Sequence, residues 1–331
     1  MICLCGSTIS QNLSSLERDG TVSYQDWIEY PDSRLYEEIA AYNTFGPLIE
    51  SLNRPDAQDA VGLLRSDFLG YSGDVRLSNY TEQCLADFLT AEGVLLKPDP
   101  LSPTYRMTSA FVDGLVRSKV IANLFPNAPK TSPPLDASGK TLDFLKTLVE
   151  SLKYFDKEHI RLSAFRSSKS SKAIKVDGSR YAQVPRECVY DTELMRILSN
   201  WLQSHHGWTV TGQWHLKNPF GKHKYTDIVI QKTDTTLLEL LATGDEAYVN
   251  SHIDKTPEYM QLLKARKAWI IHFTREDDYV PVWQSDDMLN KGVNLVHVWH
   301  NAAFTTVQMI AKWKDSTGTT CLDTCWQTIS S

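Results

Sequence analysis

The sequence predicts a mixed α/β chain, α+β over its whole length, with a helical unit first and a sheet-rich unit after it. Three observations carry this. Residues 32–93 hold apolar-periodic stretches that close on Gly70 and Gly93, the usual stop signal of a helix. The run PNAPKTSPPLDASGK (126–140) has no periodicity and is rich in Pro and Ser, as domain boundaries are. From Pro185 onward, helical and alternating segments succeed one another, which is the pattern of strands joined by a helical crossover. The expected divisions are an arm at 1–30 without sustained periodicity and expected to be flexible, a helical unit at 31–135 and an α/β unit at 136–331.

Within the first unit, 32–52 has helical spacing with Asp32 or Ser33 as the cap, and Gly46-Pro47 should kink or split it. A second helix should start at Pro55, and a third should span 79–93. VLLKPDPLSPTYRMT then reads as strand, turn, strand, and a further helix follows Ser109. Helix, helix, hairpin, helix is the order of a winged helix, whose obvious task is DNA recognition. The charges argue otherwise. The helix before the wing carries Glu82, Asp87 and Glu92 with no Lys or Arg, and the wing offers only Lys97 and Arg106, whereas phosphate contact needs cations. A packing or partner-docking role suits this unit better.

In the second unit, TLDFLKTLVESLKYFDKEH reads as an amphipathic helix, and a further helix ends at Gly207. WTVTGQWHL, YTDIVI and LLELLA form a three-strand meander. The segment 243–266 is a crossover helix, broken near Thr256-Pro257. KAWIIHFT and VNLVHVWH are core strands, and AFTTVQMIAKW is the expected edge strand.

Composition narrows the function. The chain has 331 residues, 42% apolar and 22% charged, with a net charge of −6. An acidic chain is not a general electrostatic binder of nucleic acid, so any such contact needs a local patch. No apolar run approaches the ~20 residues of a membrane span. The N-terminus lacks the basic flank and apolar core of a signal peptide, so an intracellular setting is expected, nuclear if the substrate is DNA. Six cysteines at Cys3, Cys5, Cys84, Cys188, Cys321 and Cys325 show no zinc spacing and read as reduced thiols. No G-x-x-x-x-G-K-[ST] occurs, so no nucleotide chemistry is expected.

One local patch stands out. Residues 161–186 hold Arg161, Arg166, Lys169, Lys172, Lys175, Arg180 and Arg186 against a single acid, Asp177. This is either a solvated Ser-rich ribbon or an arm that contacts phosphates beside an active site. On the second reading Arg166, Lys169, Lys172, Lys175 and Arg180 bind nucleic acid, joined by Lys222 and Lys224 in the meander.

The chemistry centres on KYTDIVIQKTDTTLLELLAT (224–243). Asp227 sits near the start of one apolar strand and Glu239 in the middle of the next. An acid inside a core strand needs a partner. Two carboxylates across a hairpin suit Mg²⁺ or Mn²⁺, which take hard oxygen ligands and keep several waters. Glu193, in the helix just before the meander, is the candidate third acid.

Helix glutamate, YTDIVI, LLELLAT and a crossover helix together resemble the PD-(D/E)XK nuclease superfamily, over roughly residues 185–275. The resemblance implies a restriction-endonuclease-like mixed sheet, metal-dependent cleavage of phosphodiesters, DNA as substrate, Asp227 and Glu239 as metal ligands and Glu193 as the helical glutamate. The family's lysine falls at Leu241, so catalysis would need a substitute. Lys264 ranks first as a catalytic residue, then Lys255, then His223, with Gln261 placed to hold water or phosphate. More loosely, the layout resembles fungal Crinkler-type effectors and ATPase-linked proteins. That implies a partner ATPase or host protein, and it leaves open a catalytically impaired module that only binds nucleic acid or protein.

Overall fold

The computed structural model describes residues 45–205, 207–217, 223–315 and 317–328; at 213–215, 217, 223–224 and 325–328 it describes the backbone alone. The arm expected at 1–30, most of the first expected helix and Lys222 lie outside the described residues.

The chain is mixed α/β and its main sheet has seven strands. The first unit begins with α1 (Gly46–Leu52). Gly46-Pro47, read above as a kink, opens this helix. A 3-10 turn at Pro55–Ala57 leads into α2 (Gln58–Asp67). β1 (Val75–Arg76) precedes α3 (Tyr80–Ala91), whose cap Asn79 accepts from the Thr81 amide at 2.8 Å. β2 (Leu95–Leu96) and β3 (Thr104–Met107) form the hairpin, and β3 is the central strand of a small antiparallel sheet. α4 (Ala110–Val116), capped by Ser109, continues through a π turn at Arg117–Ile121 into α5 (Ala122–Leu124). Leu52, Val61, Leu64, Leu89, Leu95 and Val116 are among the residues of its own apolar core.

The helix expected after the boundary is two. α6 (Phe144–Leu152) and α7 (Lys157–Arg166) are separated by a turn, and Asp156 caps the second. Asp, like Ser, competes with the helical backbone and favours the cap, so the periodicity resets there. β4 (Ser168–Ser170) and β5 (Gln183–Pro185) make a two-stranded ribbon at the ends of the basic segment. α8 (Glu187–Leu202) is buried on almost every side.

The main sheet comprises β6 (Thr209–Lys217), β7 (His223–Gln231), β8 (Thr235–Leu241), β9 (Lys267–Thr274), β10 (Val293–His300), β11 (Thr306–Lys314) and β12 (Thr320–Thr328). Its order is β12-β11-β10-β9-β8-β7-β6, with β8–β9 and β9–β10 parallel and the other pairs antiparallel. The edge is β12 rather than the 303–313 strand expected there. α9 (Glu246–Leu263) makes the crossover from β8 to β9, as a parallel pair requires. It runs on through Pro257, because packing of Val249, Ile253, Tyr259 and Met260 against the sheet outweighs local propensity. α10 (Asp286–Asn290) precedes β10.

Alternation gives the sheet two working faces. Ile228, Ile230, Leu238 and Leu240 pack with α6 and α8. Val229, Leu237, Leu241 and Ile270 pack with α9. The acids at 227 and 239 share the parity of the second set.

Candidate active site

The β7–β8 ladder pairs Ile228 with Leu238, so Asp227 falls opposite Glu239 one step past its end. Glu239 is 3% exposed. Asp227 is half-buried over the whole residue, with its carboxyl enclosed. Asp227 Oδ2 accepts from the Leu240 amide at 2.7 Å. Glu239 Oε2 lies 3.9 Å from Lys255 Nζ and 3.8 Å from His252 Nδ1, while Oε1 is buried with no hydrogen-bond partner. His252 and Lys255 are three residues apart on α9 and so share one side of it. Burial raises the pKa of both carboxyls. At Asp227 the charge of Glu239 adds to the effect, followed by Asp191 and Glu187; at Glu239 Lys255 opposes it and Glu187 and Asp191 add to it. Two enclosed acids side by side are a place that favours a cation.

Glu193 is not at this pair. Burial alone would raise its carboxyl, but Arg65 and Arg196 overcome that and hold it well below the usual carboxylate range. Its Oε1 pairs with Arg65 Nη2 at 2.5 Å, and its Oε2 accepts from Arg196 Nη2 at 2.7 Å and from the Asp156 amide at 2.9 Å. All its acceptor capacity faces the junction with the helical unit. The acids of α8 that do act on the pair are Glu187 and Asp191. They are one helical turn apart, and Glu193 sits roughly 200° around the helix from Asp191. The i, i+4 spacing of 187 and 191 was the available signal in the sequence. Glu187 Oε1 accepts from the Tyr248 hydroxyl, and Asp191 is ion-paired to Arg117, which also reaches Asp113 at 3.1 Å.

The lysine beside Glu239 is Lys255. Lys264 is the left-handed C-cap of α9, exposed, at roughly 13 Å further along the helix axis. The strand that follows it begins at Lys267, paired with Thr236 three residues before Glu239. Gln261 is exposed on the last turn of α9. The side chain of His223 lies outside the described residues. Leu241 is fully buried among the apolar residues under α9.

The basic segment divides. Arg166 is held by Asp67 at 3.3 Å and by Glu82, both in the helical unit. Lys169 turns inward, its Nζ 4.7 Å from the centre of the Tyr248 ring, and burial lowers its pKa against the pull of Glu187. Lys172, Lys175 and Arg180 are exposed on the loop between β4 and β5. That loop is anchored: the Asp277 carboxylate accepts from the amides of Asp177 at 3.0 Å and Gly178 at 2.7 Å, and Arg275 pairs with Asp177. The side chain of Lys224 lies outside the described residues.

Among the described residues no group of three or more His, Cys, Asp or Glu is arranged as a metal-ligand set. Two carboxylates remain, which is enough for an ion that retains most of its waters. No described helix is long and apolar enough to cross a membrane. No family model and no curated protein matches the chain. A chain in the Thermococcus gammatolerans assembly of McrB AAA+ hexamers with bound McrC aligns over 91% of this chain and 72% of its own length, at 11% identity and a TM-score of 0.24. A likeness at that score says nothing about fold or function.

Proposed function

We propose that the chain is a metal-dependent, PD-(D/E)XK-like nuclease acting on DNA phosphodiesters. The observation that carries this reading is the enclosed pair Asp227 and Glu239, on neighbouring strands of one sheet face, with Lys255 reaching Glu239 from the crossover helix. Asp227 and Glu239 would hold Mg²⁺ or Mn²⁺. The fit rests on the partnerless buried Glu239 Oε1 and on the raised pKa of both acids. Bound there, the ion would polarise a phosphoryl oxygen and ease ionisation of water. Lys255 places an ammonium beside Glu239, where the strand lysine of the family would act, and offsets negative charge that builds during phosphoryl transfer. Tyr248 holds Glu187, and the exposed Lys172, Lys175 and Arg180 supply phosphate contacts outside the centre.

Incubating plasmid with the protein and Mg²⁺ or Mn²⁺ tests this. Asp227→Ala and Glu239→Ala should abolish nicking. Lys255→Ala should lower it by ~100-fold, the scale of removing one electrostatic stabiliser, and Lys264→Ala separates the two lysine candidates. Equal background from the wild type and both acid variants would sink the nuclease reading. Salt-sensitive binding that survives in all of them would point instead to a module that binds nucleic acid without cutting it.

A further inference from the structure

Among the described residues, Glu239 Oε1, His252 Nδ1 and His272 Nε2, all on the α9 side of the sheet, are buried polar atoms without a hydrogen-bond partner. Buried polar groups are almost always satisfied, so three together point to a shared partner. His272 is fully buried on β9 and pairs in register with Leu241, two residues beyond Glu239 on β8. Period two puts its side chain on the same face as Glu239. His252 covers that face from α9, 3.8 Å from Glu239.

The surrounding bonds decide what each nitrogen offers. His297 Nε2 lies 2.8 Å from the Val282 carbonyl and must donate, which leaves Nδ1 as an acceptor in the neutral ring. The Tyr279 hydroxyl is 2.8 Å from that Nδ1 and donates to it. His272 Nδ1 is 3.2 Å from the Tyr279 oxygen, which can accept from it, and 3.2 Å from His297 Nδ1, whose lone pair already takes the Tyr279 proton. His272 therefore carries its proton on Nδ1, and its Nε2 presents a lone pair. The chain His272–Tyr279–His297 lies toward β10, so the opposite edge of the ring faces β8. For His252, Nε2 is 3.4 Å from the Lys255 ammonium, a donor, so the proton of that ring sits on Nδ1. Burial keeps the His272 ring neutral, and at His252 the Lys255 ammonium facing Nε2 leaves no place for a second proton.

We propose that Glu239 Oε1, His252 Nδ1–H and His272 Nε2 together hold one ordered water, with His272 as a positioning residue for it. A water there donates to the Glu239 oxygen and to His272 Nε2 and accepts from His252, with one lone pair left over. Two to four polar partners are what a buried water needs. Its part as the attacking water rests on the nuclease reading; its place in the fold does not.

Nitrogen-15 NMR of histidine-labelled full chain at neutral pH reads the tautomers directly. His272 and His252 should carry the proton on Nδ1 and His297 on Nε2. Tyr279→Phe removes one hydroxyl from the relay, so His272 should become a tautomer mixture while His252 keeps its state. A high-resolution crystal structure should place one water within hydrogen-bond reach of all three atoms. A proton on His272 Nε2, an imidazolium there, or separate partners for the three atoms would overturn the proposal. In plasmid nicking, Tyr279→Phe and His272→Gln should each lower kcat roughly tenfold or more at unchanged KM. Wild-type rates in both would overturn the positioning role. An inert wild type with the expected tautomers and water would remove the nuclease reading and leave the water site standing.

Discussion

Glu193 and Glu239 are equally hidden from water, at 0% and 3% exposure, and their neighbours send them opposite ways. Arg65 and Arg196 hold Glu193 ionised, whereas Glu239 faces the acids Glu187 and Asp191 with Lys255 at 3.9 Å. A fully paired buried charge is a structural tie, and an incompletely paired one is open to a ligand. Glu193→Gln leaves two guanidiniums facing a neutral amide, which should cost about 3–5 kcal/mol in urea unfolding. Nicking per folded molecule should stay near the wild-type rate. Intact stability with lost nicking would instead return Glu193 to the chemistry. Arg196, three residues on, is a local hint of that tie, but Arg65 is contributed from 128 positions away.

On the nuclease reading proposed above, the lysine at the centre comes from α9, lying over β8, and not from the strand itself. Leu241 is fully buried under Val249 and Ile253, so a lysine there would have to bury its ammonium. The double variant Leu241→Lys, Lys255→Ala should therefore lose about 2–5 kcal/mol and should not recover nicking. Recovery would show that the space over β8 accepts a lysine and that the helix position is incidental. At this scale the sequence was most readable where a period met an apolar context. The period of two along a strand placed Asp227 and Glu239 on one face, and that face is the one α9 covers. It was least readable where helical phase decided the outcome. Asp191 and Glu193 differ by two residues, but only the packing of α8 between the sheet and the helical unit sets which one turns toward β7 and β8. The same holds for the ranking of Lys264 over Lys255, since a few residues along α9 move an ammonium from Glu239 to the far end of the strand. His272 gave no motif at all; its significance comes from register with Leu241 and from bonds to Tyr279 and His297.

Across the whole molecule, the two units are tied by ion pairs, buried at Arg65–Glu193 and Arg117–Asp191 and open to solvent at Arg166. Arg65 reaches Glu193 and Asp156, Arg117 reaches Asp191, and Arg166 reaches Asp67 and Glu82. Gly70, at φ +69°, leaves room for Arg117, since a Cβ there would fall 2.0 Å from Arg117 Nη2. Neutral buried histidines add a pH limit to this frame. His300 accepts from the Tyr190 hydroxyl at 2.8 Å and donates to the Asn301 carbonyl at 2.8 Å, and burial, with Arg275 nearby, pulls its pKa down to about 3. Burial likewise lowers His159 and His297 to about 4. Each ring keeps a pKa near 6.5 when unfolded, so below that value the unfolded chain takes up protons that the folded chain refuses. The stability they contribute is complete above pH 6.5 and is lost as pH falls toward 4. The raised acids Asp227 and Glu239 act in the opposite sense, because the folded state binds their protons first, so the total curve mixes both. A His300→Gln variant isolates one ring. Whatever its absolute stability, its unfolding free energy between pH 6.5 and 4.5 should fall less steeply than that of the wild type, by up to about 1.4 kcal/mol per pH unit. Parallel profiles for the two proteins would mean that His300 takes up its proton over the same pH range folded and unfolded, and its bond from Tyr190 would then have to reverse as the ring charges.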